Sequence, residues 1–188
     1  CGYFGRFKKD KGSMIQIFQY PHETLLQKST EWKNGDSIEG YNDIEKFERD
    51  YIKLMLDENG MGLAANQVGI TKRFFAIGSE TFDNIKKPVI MWNPEIVHSS
   101  EEKVLDEEGC LSFLGVFVKV LRPKKVTVKW QNIKGETLLN HMDGMESKCF
   151  QHELDHLNGI TFNQKVSKLS WEMANKRAEK IRKKYGKS

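Results

Sequence analysis

The chain has 188 residues, 38% hydrophobic and 30% charged, with 11 Phe, 4 Trp and 5 Tyr; this supplies a core for one domain and excludes wholesale disorder. No run approaches the about 18 apolar residues of a membrane span, and the N-terminal stretch lacks the apolar segment of a secretory signal, so a cytoplasmic or organellar location away from the membrane is expected. The net charge of +4 is segregated, with seven basic side chains and one Glu in residues 176–187, four basic and one acidic in residues 1–13, and a net −5 between them, which argues against a sequence-specific nucleic-acid binder.

In chain order, residues 1–13 ("CGYFGRFKKDKGS") read as a leader or a remnant ahead of a natural start at Met14, leaving one domain over residues 14–188. In "YNDIEKFERDYIKLMLDENG", Ile44, Phe47, Tyr51, Leu54 and Met55 recur at helical spacing, with Asn42 or Asp43 as a cap and Gly60 as a stop. The small, glycine-rich "MGLAANQVGI" follows. The segments "RFFAIG", "PVIMWNPEIV", "VFVKVLRP" and "KVTVKW" then predict strands from their β-branched and aromatic content. "NIKGE" predicts a turn into "TLLNHM", and hence an antiparallel hairpin. Residues 145–158 carry Met145, Cys149, His152, His156 and Leu157 at spacings of three and four, a helix ending before Gly159. A last helix from about residue 167 to 185 has Leu169, Met173, Ala174, Ala178, Ile181 and Tyr185 as its expected apolar stripe. Helices and strands do not alternate one for one, so an α+β fold with mostly antiparallel sheet is expected.

The stretch "QHELDH", residues 151–156, carries the chemistry. One helical turn separates His152 from His156, so both imidazoles can reach one metal ion, while Glu153 can hold a water on that ion and accept its proton. The alternative is a polar helical turn in which the histidines pair with Glu153 or Asp155. A metal site needs a third ligand. The metzincin continuation would put a histidine at position 162, where Phe162 stands, and the acids a thermolysin-like enzyme would use, Glu172 and Glu179, are poorly spaced on a basic helix. Cys110, in "DEEGCLSF", is the better candidate, because a thiolate and two imidazoles make a tetrahedral set with one open corner. Its alternative is a small buried hydrophobe. The three cysteines, Cys1, Cys110 and Cys149, are too few and uneven for a disulfide framework and fit a reducing compartment.

Three separated blocks, "GMGLAANQ" (60–67), "EGCLS" (108–112) and "QHELDH" (151–156), resemble the three signature blocks of peptide deformylases, in that family's order. A looser similarity runs from "YPHETL" near residue 20 to "HLNGITF" ending at residue 162. The resemblance implies an α+β fold around a central helix bearing the metal-binding histidines, with a C-terminal helix. It implies removal of the N-formyl group from the initiator methionine of nascent polypeptides, releasing formate. The implied ligands are Cys110, His152 and His156, with Glu153 as general acid and base toward a metal-bound water. Gln67 and the Leu111 N–H would face the formyl oxygen. The implied metal is Fe2+ in the cell, with Zn2+, Ni2+ or Co2+ as alternatives. Gly60 and Gly62 would let the backbone approach a peptide, although alone that block reads equally as a tight turn. Phe113, Phe150 and Leu111 are candidate walls for the methionine side chain, or simply core.

Two departures from the family pattern stand out: "FLGVFVKVLRP" follows "EGCLS" where many members have proline and glycine, and Asn66 stands where proline is common. Glu108 is expected to pair with Arg122 and steady the cysteine loop by analogy with the family, or to form an exposed pair. The basic C-terminal stretch reads as a solvated helix face or as a surface for ribosome contact. A zinc endopeptidase and a structural metal module are the rival readings.

Overall fold

The computed structural model describes residues 15–185; the expectation for residues 1–13 and the end of the basic stretch lie outside them. Helix α1, Ile44–Asp57, starts where Asp43 accepts hydrogen bonds from the N–H groups of Glu45 and Lys46 at 2.9 and 3.1 Å, and it buries Phe47, Tyr51 and Met55. The expected spacing thus becomes one face against the sheet, with Ile44 and Leu54 packed at its border. The Tyr51 hydroxyl donates to the Leu63 carbonyl at 3.1 Å, joining α1 to the first strand.

Strands β1 (Gly62–Ala64), β2 (Phe74–Ile77), β3 (Val89–Ser99), β6 (Lys125–Gln131) and β7 (Thr137–Asp143) form a sheet in the order β1-β2-β3-β6-β7. Every pairing in it is antiparallel. The expected hairpin is β6 with β7, in register from Lys125 opposite Asp143 to Gln131 opposite Thr137. Between β3 and β6 the chain leaves the sheet to make a separate two-stranded ribbon, β4 (Lys103–Cys110) with β5 (Phe113–Pro123).

Strand β4 has no counterpart among the predicted elements. Its first five residues are exposed and mostly charged, so hydrophobic alternation is missing, and pairing with β5 makes it a strand. The register shifts between Gly109 and Cys110, a bulge after which Cys110 pairs with Phe113 at the end of the ribbon.

Helix α2, Gly144–Leu157, runs through the middle of the molecule and is buried on nearly all sides, polar residues included. Cys149, Phe150 and Leu157 join the principal core with α1 and the large sheet. The second core consists of Phe113, Val116, Val118 and Val120 of β5 with Phe162, and it is covered by helix α3, Lys168–Tyr185. Here the expected stripe is corrected. Ala174 and Ala178 are buried and Trp171 packs beside them, whereas Leu169 and Met173 are 67% and 47% exposed. At about 100° per residue Leu169 and Met173 lie on the far side of the helix from Trp171, Ala174 and Ala178, and two alanines let the helix approach β5 closely. The fold is α+β with antiparallel sheets around α2, as the sequence predicts.

Candidate metal centre

The bulge at Cys110 and the periodicity of α2 bring three donors together. Cys110 Sγ, His152 and His156 each offer a ligand atom, all within 4.8 Å of one another and all buried. Cys110 Sγ lies 3.2 Å from His156 Nε2, and the two imidazole centroids are 5.0 Å apart. A tetrahedral ion with bonds of roughly 2.0 Å to nitrogen and 2.3 Å to sulfur needs donor separations of about 3.3–3.6 Å. The three side chains therefore fit one cation with little movement.

The surroundings orient these donors. His152 Nδ1 donates to Glu108 Oε2 at 2.9 Å, since a carboxylate can only accept, and this leaves Nε2 for a metal. Glu108 is itself gripped by Arg122, through Nε to Oε1 and Nη2 to Oε2, the second at 2.9 Å. Burial raises the Glu108 pKa, but hydrogen bonds from Arg122 and His152 outweigh it and hold the carboxyl at about 2. Arg122 also donates to Asp155 at 2.7 Å, and Lys165 pairs with Asp155 at 2.9 Å. The expected Glu108–Arg122 pair is thus buried and bidentate rather than exposed.

Charge preference points the same way. At His152 burial disfavours the imidazolium, yet the hydrogen bonds and charges of Cys110 and Glu108 push its pKa up to about 10, so without a metal the pocket holds a proton there, and a cation that took its place on Nε2 would supply the positive charge instead. Burial and the neighbouring His152 push the His156 pKa well down, which keeps this imidazole neutral, as a metal ligand must be. Asn66 Nδ2 donates to the His156 carbonyl and Gln151 Nε2 to the Pro123 carbonyl at 2.9 Å, fixing α2 against both loops.

Glu153 is 3% exposed, and burial raises its pKa to about 7. Its Oε2 has no hydrogen-bond partner among the described residues. A Cβ built on Gly62 would lie 2.4 Å from Glu153 Oε1, so the carboxylate occupies space that only glycine leaves. Such a group can take and return a proton near neutral pH.

The 3₁₀ turn Ala65–Val68 delivers Gln67. Its Oε1 accepts from the Ala64 N–H at 2.8 Å, while Nε2 donates to Ser112 Oγ at 3.0 Å and faces Cys110 Sγ at 3.6 Å. Leu111 is half-buried, and a Cβ built on Gly60 would come within 2.8 Å of its Cδ1. Phe113 packs on Tyr20, Phe162 and Trp171 with centroids 4.7, 4.9 and 5.8 Å away. Phe150 has no exposed surface and packs edge-on against Phe75, placing it inside the core. Glu172 is half exposed beside Lys168, turned to solvent. Ser112 and Gln19 are site neighbours that carry no assigned role in the sequence motifs. Ser112 lies inside a quoted block, whereas Gln19 carries no local signal.

The family model for polypeptide deformylase matches residues 14–172. The peptide deformylase of Wolbachia pipientis wMel is 38% identical over 184 residues, covering 92% of this chain and 98% of that one. Among solved structures, the peptide deformylase of Thermotoga maritima is 35% identical with a TM-score of 0.73, covering 82% of this chain and 99% of its own. That of Synechococcus elongatus, solved in complex with actinonin, is 28% identical with a TM-score of 0.79, covering 93% and 89%. On the match to the family model and the identity to its relatives over most of both chains, this chain belongs to the polypeptide deformylase family.

Proposed function

We propose that this protein removes the N-formyl group from the N-terminal methionine of newly made polypeptides and releases formate, with Cys110, His152 and His156 holding one divalent cation. The observation that carries this reading is the convergence of those three donors beside a buried carboxylate whose Oε2 has no partner among the described residues. A cation on these donors would make a water molecule more acidic and the formyl carbon more electrophilic.

The chain's own residues supply the rest. Glu153 takes a proton from the attacking water and returns it to the amine nitrogen as the C–N bond breaks, so one carboxyl serves both halves of the hydrolysis. Its burial keeps the pKa at about 7, where both transfers are accessible. Gln67 Nε2 keeps its anchor on Ser112 and turns the N–H that faces Cys110 toward the formyl oxygen, joined by the Leu111 N–H as negative charge collects there. Gly60, Gly62 and Phe113 line the peptide's approach.

Fe2+ is the proposed cation in the cell, and Zn2+, Ni2+ and Co2+ suit the same donors. The cell's cytoplasm or an organelle is the proposed location. No helix among the described residues is long and apolar enough to cross a membrane. The basic face of α3 is a proposed contact with ribosomal RNA, and a chain cut before Lys176 should lose ribosome affinity and its salt dependence.

Formate release from a formyl-Met peptide by protein prepared without oxygen, with elemental analysis of the same sample, tests the reaction. One equivalent of divalent metal with turnover, inhibited by actinonin, is expected. A metal-loaded sample that leaves the formyl group in place would overturn it.

A further inference from the structure

The two loops that face the proposed substrate belong to different parts of the fold. Gln67 follows β1 at one edge of the large sheet, and Leu111 and Ser112 make the turn between Cys110 at the end of β4 and the start of β5 in the separate ribbon. Segment 15–22 lies across both. The Phe18 N–H donates to the Gln67 carbonyl at 2.8 Å, the Tyr20 N–H to the Ser112 carbonyl at 2.9 Å, and Gln19 Nε2 to the Leu111 carbonyl at 2.9 Å. Tyr20 stacked on Phe113 at 4.7 Å holds the segment against the ribbon, and Phe18 stacks on His22 at 4.0 Å within the segment. Phe18 also lies over Gly69, whose φ of +84° a side chain would strain.

Two of these three bonds come from main chain and persist whatever the side chains. Only the Gln19 bond depends on residue type. It falls on the carbonyl of the residue whose N–H is assigned to the formyl oxygen. The Leu111 carbonyl belongs to the peptide plane shared with Ser112 and the Leu111 N–H to the plane shared with Cys110. A bond that holds the carbonyl, with Cys110 held by its pairing in the ribbon, therefore restrains the rotation of Leu111 that would swing its N–H away.

We infer that Gln19 is a positioning residue: by holding the Leu111 carbonyl, its amide aims the Leu111 N–H at the point the Gln67 amide also faces. The inference rests on the deformylase reading of the site. The Gln19 side-chain amide donates to the Leu111 carbonyl and not to a metal ligand, so its removal lowers kcat through aim and leaves KM alone.

The test compares the parent protein with Gln19→Met, which keeps length but cannot donate, and Gln19→Lys, which donates again. On a formyl-Met peptide, Gln19→Met should lose about tenfold in kcat with KM within about twofold, and Gln19→Lys should recover most of that loss. Amide hydrogen exchange over residues 111–113 should quicken in Gln19→Met while exchange over α2 and the metal content stay at parent values. A Gln19→Met kcat within about twofold of parent overturns the inference. So does a kcat loss matched by lost metal or by faster exchange across α2, which would mark a role in folding alone. A parent protein that releases no formate is a different result: it overturns the assigned reaction, and the role of Gln19 with it.

Discussion

A methyl group at position 62 would lie 2.4 Å from a carboxylate oxygen of Glu153, so one hydrogen atom decides where the proposed acid and base sits. Gly62→Ala should keep the fold and bound metal yet lower kcat on a formyl-Met peptide at least about tenfold, because a misplaced base loses much of its usual contribution. Steady-state kinetics beside elemental analysis checks this. Glu108 acts one shell out, accepting from His152 Nδ1 while Arg122 grips both its oxygens. Glu108→Gln keeps the shape but removes the charge that orients the imidazole, and metal affinity should fall about 10- to 100-fold. Competition with a chromophoric chelator measures it. The residues of these interactions were legible in unequal degree. His152, Glu153 and His156 announce themselves by spacing on one helix, whereas Cys110 looks locally like any buried cysteine until the ribbon turns it toward α2.

At the level of elements, periodicity served where one face meets one partner. Helix α1 buries the expected Phe47, Tyr51 and Met55 because it has a single apolar face against the sheet. The stripe expected for helix α3 joins residues of two faces: Ala174 and Ala178 are buried, while Leu169 and Met173, grouped with them by spacing and hydrophobicity, face solvent. The contact with β5 is close, so small residues win. Ala178→Leu should therefore destabilise the protein by about 1–3 kcal/mol through overpacking, while Leu169→Ala, on the solvent side, should change stability by less than about 0.5 kcal/mol. Thermal denaturation of the two variants separates the faces. Strand β4 escaped notice for the opposite reason. Its exposed, charged half has no hydrophobic period, and its strand geometry comes from a partner ten or more residues further along the chain.

For the molecule as a whole, the proposed centre joins the ribbon to α2, so a cation there links the two cores. Removing it with a chelator should abolish formate release and lower Tm by about 5–10 °C where the free metal had stood near 100 Kd, and adding Zn2+ should restore the thermal shift. Differential scanning calorimetry on the loaded, stripped and reloaded protein is the check. The amino-acid sequence by itself determined the chemistry available, namely two imidazoles and a carboxylate within one helical turn, a cysteine within its motif, and an α+β pattern of periods. Those are properties of residue type and local spacing, which need no partner. The tertiary structure alone decided which thiol meets the imidazoles, that Glu108 and Arg122 are buried together behind them, that Phe150 belongs to the core, and that segment 15–22 straps the two loops. Each of these depends on contacts between residues far apart in the chain, and local periodicity carries no record of them.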